Sequence, residues 1–355
     1  MRTLIRYYQD VKFGVNMLRY KLYGHRFPAH VAIAVTNRCN LKCPYCFYGY
    51  TLYKEDKVTT RELFYLIDEL CRRGTAYINL NGGEPLLRKD IGEIVDRITG
   101  KGMRCSVSTN AILLEDRIEE LKKANVSVLN ISLDGNEEQH RKNRGDISYA
   151  KVIKGIDAAH RHDIPVAICT VLTKDNKDCV DEIVRLAKDK GVYSIFHFLY
   201  ERLDPKDAEP NQLTREEEIA IMDKIIAYKK QGYPVHYSDR IHEYIKKWPI
   251  QGSRLMLDGN AKQAKDDKDF RIIPCVAGDL YTWIDANGKF CPCAVLSGQV
   301  NAQSFAEVGF EKAWNEVPKN RCQSCSFFHQ AEMNMLFSLE LRGWLDIVSS
   351  KFIRP

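Results

Sequence analysis

The chain has 355 residues, 28% charged and 45% hydrophobic, with a formal net charge of +6; this excludes a disordered chain and suits a main domain with an appendage. The mild positive excess is compatible with an anionic substrate or surface, but no dense Lys/Arg block marks a nucleic-acid groove. Twelve Cys without a signal-peptide pattern point to a reducing, cytoplasmic compartment with metal chemistry in place of disulfides, and no run reaches the roughly 18 uncharged apolar residues needed to span a bilayer.

Residues 1–29 carry a basic amphipathic helix pattern, with Leu4, Val11, Val15, Leu18 and Leu22 among its apolar positions. It reads as a packing helix or as an interfacial one that gives peripheral membrane contact. From 30 to 205, strand candidates at 31–35, 77–80, 104–108, 126–133, 166–172 and 194–200 alternate with helical patterns at 60–72, 90–100, 114–124, 149–162 and 177–190. Six such units predict an α/β fold, a parallel sheet with outer helices, because parallel neighbours need crossover connections. Function is then expected on the loops after the strands. Residues 204–210 break the pattern, and 206–269 reads as a helical connector in which Thr214 caps a helix with Glu217 at the capping-box position. The polar run 258–269 reads as a loop. A second small domain is expected at 270–330 and a C-terminal helix at 331–355, with Trp344 and Phe352 among its apolar positions.

Cys39, Cys43 and Cys46 follow the first strand in a C-x3-C-x2-C run, with no His or fourth Cys nearby. Iron–sulfur clusters are usually held by four thiolates, so three leave one iron open to an outside ligand. Structural zinc is the competing reading, but zinc sites normally pair C-x2-C units and complete four ligands. With Tyr45 before the third Cys, this loop resembles the radical S-adenosylmethionine (SAM) superfamily. The resemblance implies a partial (β/α)6 TIM-type barrel and a [4Fe-4S] cluster whose free iron chelates SAM. It also implies reductive cleavage to a 5′-deoxyadenosyl radical and an electron donor such as flavodoxin or ferredoxin. Three further strand ends fit the family's motifs. Gly82, Gly83, Glu84 and Pro85 resemble its GGEP segment, where glycines allow close backbone approach and Glu84 would accept from the SAM ammonium. Asn110 lies in a T-N-A segment resembling T-N-G. Ser132 and Asp134 resemble S-x-D-G, with Ser132 toward the SAM ribose and Asp134 toward SAM or substrate. Arg144 is named for the SAM carboxylate, with Arg141 as its competitor, since a guanidinium can grip a carboxylate bidentately.

A second set begins at Cys275. Asp285 to Gly288 is a hairpin signature that would carry Cys293 toward Cys275, with Cys291 able to substitute, and Cys322 and Cys325 follow as C-x2-C. Four thiolates in two groups also suit a zinc ribbon. In this order they resemble the SPASM/Twitch branch in its single-cluster form, implying one auxiliary [4Fe-4S] cluster that relays an electron. Cys71, Cys105, Cys169 and Cys179 sit in helix or strand patterns and read as core. The expected activity is therefore hydrogen abstraction from a small-molecule, sugar or lipid-linked substrate. Peptide modification is the alternative within the family, made less favourable by a short N-terminus without room for a leader-binding domain. A zinc-bearing binding protein is the alternative of another class.

Overall fold

The computed structural model describes residues 2–46, 56–145, 148–199, 211–250, 253–318 and 322–338. Helix α1 (Arg2–Tyr23) leads to β1 (His30–Ala34), α2 (Thr60–Arg73), β2 (Tyr77–Asn81), α3 (Ile91–Gly100), β3 (Arg104–Thr109), α4 (Leu114–Lys123) and β4 (Val128–Ser132). After these come α5 (Glu137–Arg144), α6 (Tyr149–Arg161), β5 (Val166–Leu172), α7 (Val180–Asp189) and β6 (Tyr193–Phe198). β1 to β6 lie side by side in chain order, each pair parallel. This is the α/β partial barrel of six units that the sequence predicts, followed by a C-terminal region.

The period of two along each strand separates two environments. Val31, Ile33, Ile78, Leu80, Val107, Leu129 and Ile131 face the helices and are almost wholly buried against side chains such as Leu66, Leu70, Ile94 and Ile98. Each such side chain contributes about 1.5–3 kcal/mol of burial. Between them stand smaller or polar residues, Ala32, Ala34, Asn79, Asn81, Ser108, Asn130 and Ser132, which form the inner face. Helix starts follow local chemistry. Thr59 and Glu62 make a reciprocal capping box on α2, and Gly74 ends that helix at φ 89, where a glycine avoids the left-handed penalty. Helix α5 is an element the sequence reading lacks. Its capping box, Asn136 with Gln139, precedes a stretch too charged to show helical periodicity.

The C-terminal region begins with α8 (Arg215–Lys230), capped by Thr214 and Glu217 as expected, and α9 (Asp239–Lys246). β7 (Leu255–Leu257) follows, and α10 (Ala261–Asp266) lies inside the polar run read as a loop. β8 (Tyr281–Ile284) and β9 (Phe290–Cys291) form the hairpin, with Gly288 at φ 78 in its turn. β8 pairs in parallel with β1, so this unit extends the barrel's own sheet. α11 (Phe305–Val308), α12 (Phe310–Asn315), β10 (Cys322–Cys325) and α13 (Phe328–Phe337) complete the order, and β10 pairs with β7 apart from the main sheet. Of the break at 204–210 and the connector from 206, residues 204–210 lie outside the described residues, as do Trp344 and Phe352 of the C-terminal pattern.

Candidate active site

Cys39, Cys43 and Cys46 sit in the loop that leaves β1, and the Cys46 amide donates to the Cys43 carbonyl at 3.1 Å. Burial raises the Cys43 thiol and pushes Cys39 up to about 11, so these sulfurs hold their protons until a metal displaces them. The loop is anchored by residues the sequence reading misses. Asp56 accepts from the Thr36 hydroxyl at 2.8 Å, the Asn37 amide at 2.7 Å and Arg38 Nε at 3.2 Å. Arg88, buried and paired with Asp90, donates to the Val35 carbonyl at 2.9 Å. Neither shows a periodic or motif signal, because each acts on backbone that is distant in sequence.

The two glycines approach that loop directly. The Gly83 amide donates to the Thr36 carbonyl at 2.9 Å and the Glu84 amide to Arg38 at 2.8 Å. A Cβ on Gly83 would lie 2.1 Å from the Arg38 carbonyl oxygen and 3.0 Å from Cys39 Cβ; on Gly82 it would lie 2.5 Å from the Thr36 oxygen. Glycine is required here first for the cysteine loop. Glu84 also turns inward. It is 1% exposed and accepts from the Leu86 amide at 3.0 Å, the Thr109 hydroxyl at 2.7 Å and the Asn110 amide at 2.7 Å. Burial outweighs those donors and raises its carboxyl to about 7. Three of its roughly four acceptor positions are thus used inside the protein. Pro85 opens a buried turn behind it. Asn110 donates across to Asn40 Oδ1 at 2.7 Å, tying β3's end to the cysteine loop. Ala111, which stands where the family motif has Gly, takes φ 60, a region costly for a residue with a Cβ.

Tyr45, Asp134 and Arg144 meet on the other side of the loop. Asp134 has no solvent exposure; it accepts from the Tyr45 hydroxyl, from Arg144 Nε at 2.6 Å and from the Val171 amide at 2.9 Å. Arg144 also lies over the Tyr45 ring, 5.6 Å from its centroid. Burial works against the Arg144 charge, but Asp134, Tyr45 and Cys43 outweigh it and hold the guanidinium well above its usual value. Burial, above all, raises Tyr45, which therefore stays protonated as a donor. The Asp134 amide donates to His140 Nδ1 at 3.1 Å, and burial lowers that imidazole to about 4. Asp134 is therefore enclosed by its own chain. Arg144 is its ion-pair partner, and Ser132 sits half-buried on the inner face two residues earlier.

The second cysteine set converges as well. Cys275, Cys293, Cys322 and Cys325 line one cavity with Leu255, Val295 and Phe327 among its walls. Cys291 is turned away, its sulfur 3.8 Å from Ser297 Oγ. Burial raises the Cys293 and Cys325 thiols, and the neighbouring cysteine sulfurs add to it. Among the described residues, no group of three or more His, Cys, Asp or Glu side chains could hold a single metal ion. Four thiols that line one cavity form a donor set suited to a sulfur-liganded centre. The two sets are neighbours. Cys39 and Cys46 pack against the same apolar group as Cys293, Cys325 and Cys322, with Ala32 and Ala34 of β1 in it.

Residues 33–187 match the Radical SAM superfamily. That stretch is a radical SAM domain. It is 28% identical over 327 residues to the AdoMet-dependent heme synthase of Methanosarcina barkeri, covering 84% of this chain and 89% of that protein. With a GTP 3',8-cyclase of Clostridium botulinum it shares 36% identity over 169 residues, 45% of this chain and 52% of the cyclase; it thus spans about half of that relative's length. The fold resembles Streptococcus suis SuiB bound to S-adenosylmethionine, with a TM-score of 0.65 and 17% identity over 85% of this chain and 69% of SuiB.

Proposed function

We propose that this radical SAM enzyme abstracts hydrogen from a polar small molecule, sugar or lipid-linked group and passes an electron to an auxiliary centre of the SPASM/Twitch type. The observation that carries this reading is the apolar group that includes Ala32, Ala34, Cys293 and Cys325 and against which Cys39, Cys46 and Cys322 pack. When bound, a [4Fe-4S] cluster on Cys39, Cys43 and Cys46 with SAM on its open iron supplies the radical chemistry, and a second cluster on Cys275, Cys293, Cys322 and Cys325 supplies an electron acceptor. The chain's own residues set the conditions. Tyr45, Asp134 and Arg144 fix the far side of the loop, and Glu84 with Asn110 fixes the near side.

The inner face supports a polar, hydrogen-bonding substrate. Asn79 Oδ1 accepts from Asn81 at 2.8 Å and Ser108 at 3.2 Å. Asn130 and Ser132 are half-buried there. Ser132 faces the SAM side of the lumen, while Asn79 and Asn130 offer donors and acceptors to the substrate. The test uses anaerobically purified protein with a flavodoxin or ferredoxin donor. Deuterium from a labelled substrate should appear in 5′-deoxyadenosine, and the protein should carry iron with inorganic sulfide. Stoichiometric zinc without sulfide would sink the reading.

A further inference from the structure

One group of inner-face side chains lies outside both cysteine regions. His30 opens β1 in register with Tyr77 of β2 and Tyr281 of β8, and the period of two puts it on the face of Ala32 and Ala34. His197 stands near the end of β6; its register with Val171, two residues beyond Cys169 and Ile195, puts it on the face of Ser132. β1 and β6 are the first and last of the six parallel strands, and the first turn of α13 joins them. His329, the second residue of that helix, meets the His30 ring edge to face at 5.2 Å between centroids and the Tyr281 ring at 5.9 Å. Phe328 beside it lies 6.2 Å from the His197 ring. Three imidazoles from three elements thus border one another across the open side of the barrel.

Their polar atoms are left over by the fold. His30 is 6% exposed, and its Nε2 is sealed from solvent without a hydrogen-bond partner among the described residues, which is costly for a buried polar group. His197 and His329 are half-buried, as are Ser132, Cys169 and Val171 of the same face, so these rings border space that solvent reaches. The cluster's surroundings decide what suits it. Tyr77 and Tyr281 face it from the sheet, His236 and Tyr237 from the segment before α9, His242 from α9 and Lys229 from α8. Glu332, one turn further along α13, is turned to Ser238. Among the described residues no carboxylate shifts the three rings; burial holds His197 down to about 3 and His329 to about 4, and the His329 ring adds to the lowering of His197 and His30. The rings also form no group that could hold a metal ion among the described residues. An anion is the missing complement, since it would relieve that mutual opposition to charge, and the positive end of the ten-residue α13 lies beside the rings.

We propose that His30, His197 and His329 seat a carboxylate of the substrate, which enters together with a proton so that carboxylate and imidazolium pair in the lumen. The cysteine loop leaves the other end of β1, four residues and about 13 Å from His30 at 3.3 Å per residue, so the seat holds the substrate's tail away from the reacting C–H. Titration calorimetry of the full, iron-loaded chain with benzoate and with benzamide, its neutral isostere, tests this. Benzoate should bind at least about tenfold more tightly at pH 6.5, because an ion pair out of bulk water exceeds a neutral hydrogen bond. Binding should take up a proton, measured in buffers of different ionisation heat. An imidazole neutral in the free protein and charged in the complex makes affinity fall as pH rises, by up to about tenfold per unit. His197→Gln with His329→Gln keeps polar side chains that do not protonate, so the preference for benzoate should vanish; unchanged iron content and thermal unfolding establish that this variant folds, and proton uptake by the wild type stands as evidence apart from it. Benzoate that binds no more tightly than benzamide, binds without proton uptake, or binds the folded variant equally well overturns the proposal. The seat rests on the lumen being the substrate space of the proposed reaction, but it is measured by binding alone, so its failure leaves the iron, sulfide and deuterium tests of that reaction standing.

Discussion

The two cysteine regions are built from opposite materials. Around Cys39, Cys43 and Cys46 the protein buries charge, with Asp134 and Arg144 paired beside the loop and Glu84 held by three donors behind it. Around Cys275, Cys293, Cys322 and Cys325 the cavity walls include Leu255, Val295 and Phe327. Buried charge fixes geometry through directional bonds and is costly when broken. Apolar walls exclude water and leave sulfur as the dominant donor, which suits a centre that exchanges an electron and nothing larger. Under the proposed function, the contrast fits ligand chemistry in the first region and insulation in the second.

Removing each region's ligands gives the sharpest test and the largest effects. Protein reconstituted under anaerobic conditions should hold about eight irons as two four-iron clusters. Changing Cys39, Cys43 and Cys46 together to Ala should remove about four of them and abolish SAM cleavage. Cys322→Ala with Cys325→Ala should leave cleavage measurable while product formation collapses. Circular dichroism and retained SAM binding must show the double variant folded. Normal product turnover by that folded variant would leave the second region a structural role only.

The next effect belongs to the buried pair. Arg144→Ala strands the Asp134 carboxylate among Tyr45 and the Val171 amide, and breaking such a pair costs about 3–5 kcal/mol. Urea unfolding of the apo protein measures it, and a loss below about 1 kcal/mol, the range of exposed pairs, would mean that solvent reaches Asp134.

Gly83→Val reads the contact between the glycines and the cysteine loop. The added side chain would meet the Arg38 carbonyl and Cys39, so iron should be lost from the first region along with SAM affinity. Full iron content with SAM affinity alone impaired would return this glycine to the role its motif suggests.

That revision shows where the sequence was legible. Strand and helix periodicity gave the six units, and cysteine order gave both clusters of sulfur, because each signal is local or comes from residue type. The motif residues Glu84 and Asp134 stand out in a string of letters, but their partners Thr109, Asn110, Tyr45 and Arg144 do not, because tertiary packing sets them. Asp56 and Arg88 were invisible for the same reason. Cys291 and Cys293 are alike in sequence, and only the turn after β9 sends the second toward the cavity.

The smallest effect concerns pH and the helix that closes the second region. Glu332 on α13 is 1% exposed and accepts from the Ser238 hydroxyl at 2.9 Å and the Ser238 amide at 3.3 Å, at the start of α9. Burial raises it to about 7, against the pull of Ser238, Lys229 and Arg240. A carboxyl raised on folding binds more protons in the native state, so its stabilisation is whole below about pH 4.5 and is lost as pH rises through about 7. Buried imidazoles such as His197 and His242, lowered to about 3, act in the reverse sense by weakening the fold as pH falls below about 6.5. The measurement is therefore the difference between wild type and Glu332→Gln, which keeps an acceptor for Ser238 and does not titrate. Between about pH 5 and pH 7.5 the wild type should lose on the order of 1–3 kcal/mol relative to the variant. A difference that stays flat across that interval would show that Glu332 is already ionised in the folded protein, with Lys229 and Arg240 outweighing its burial.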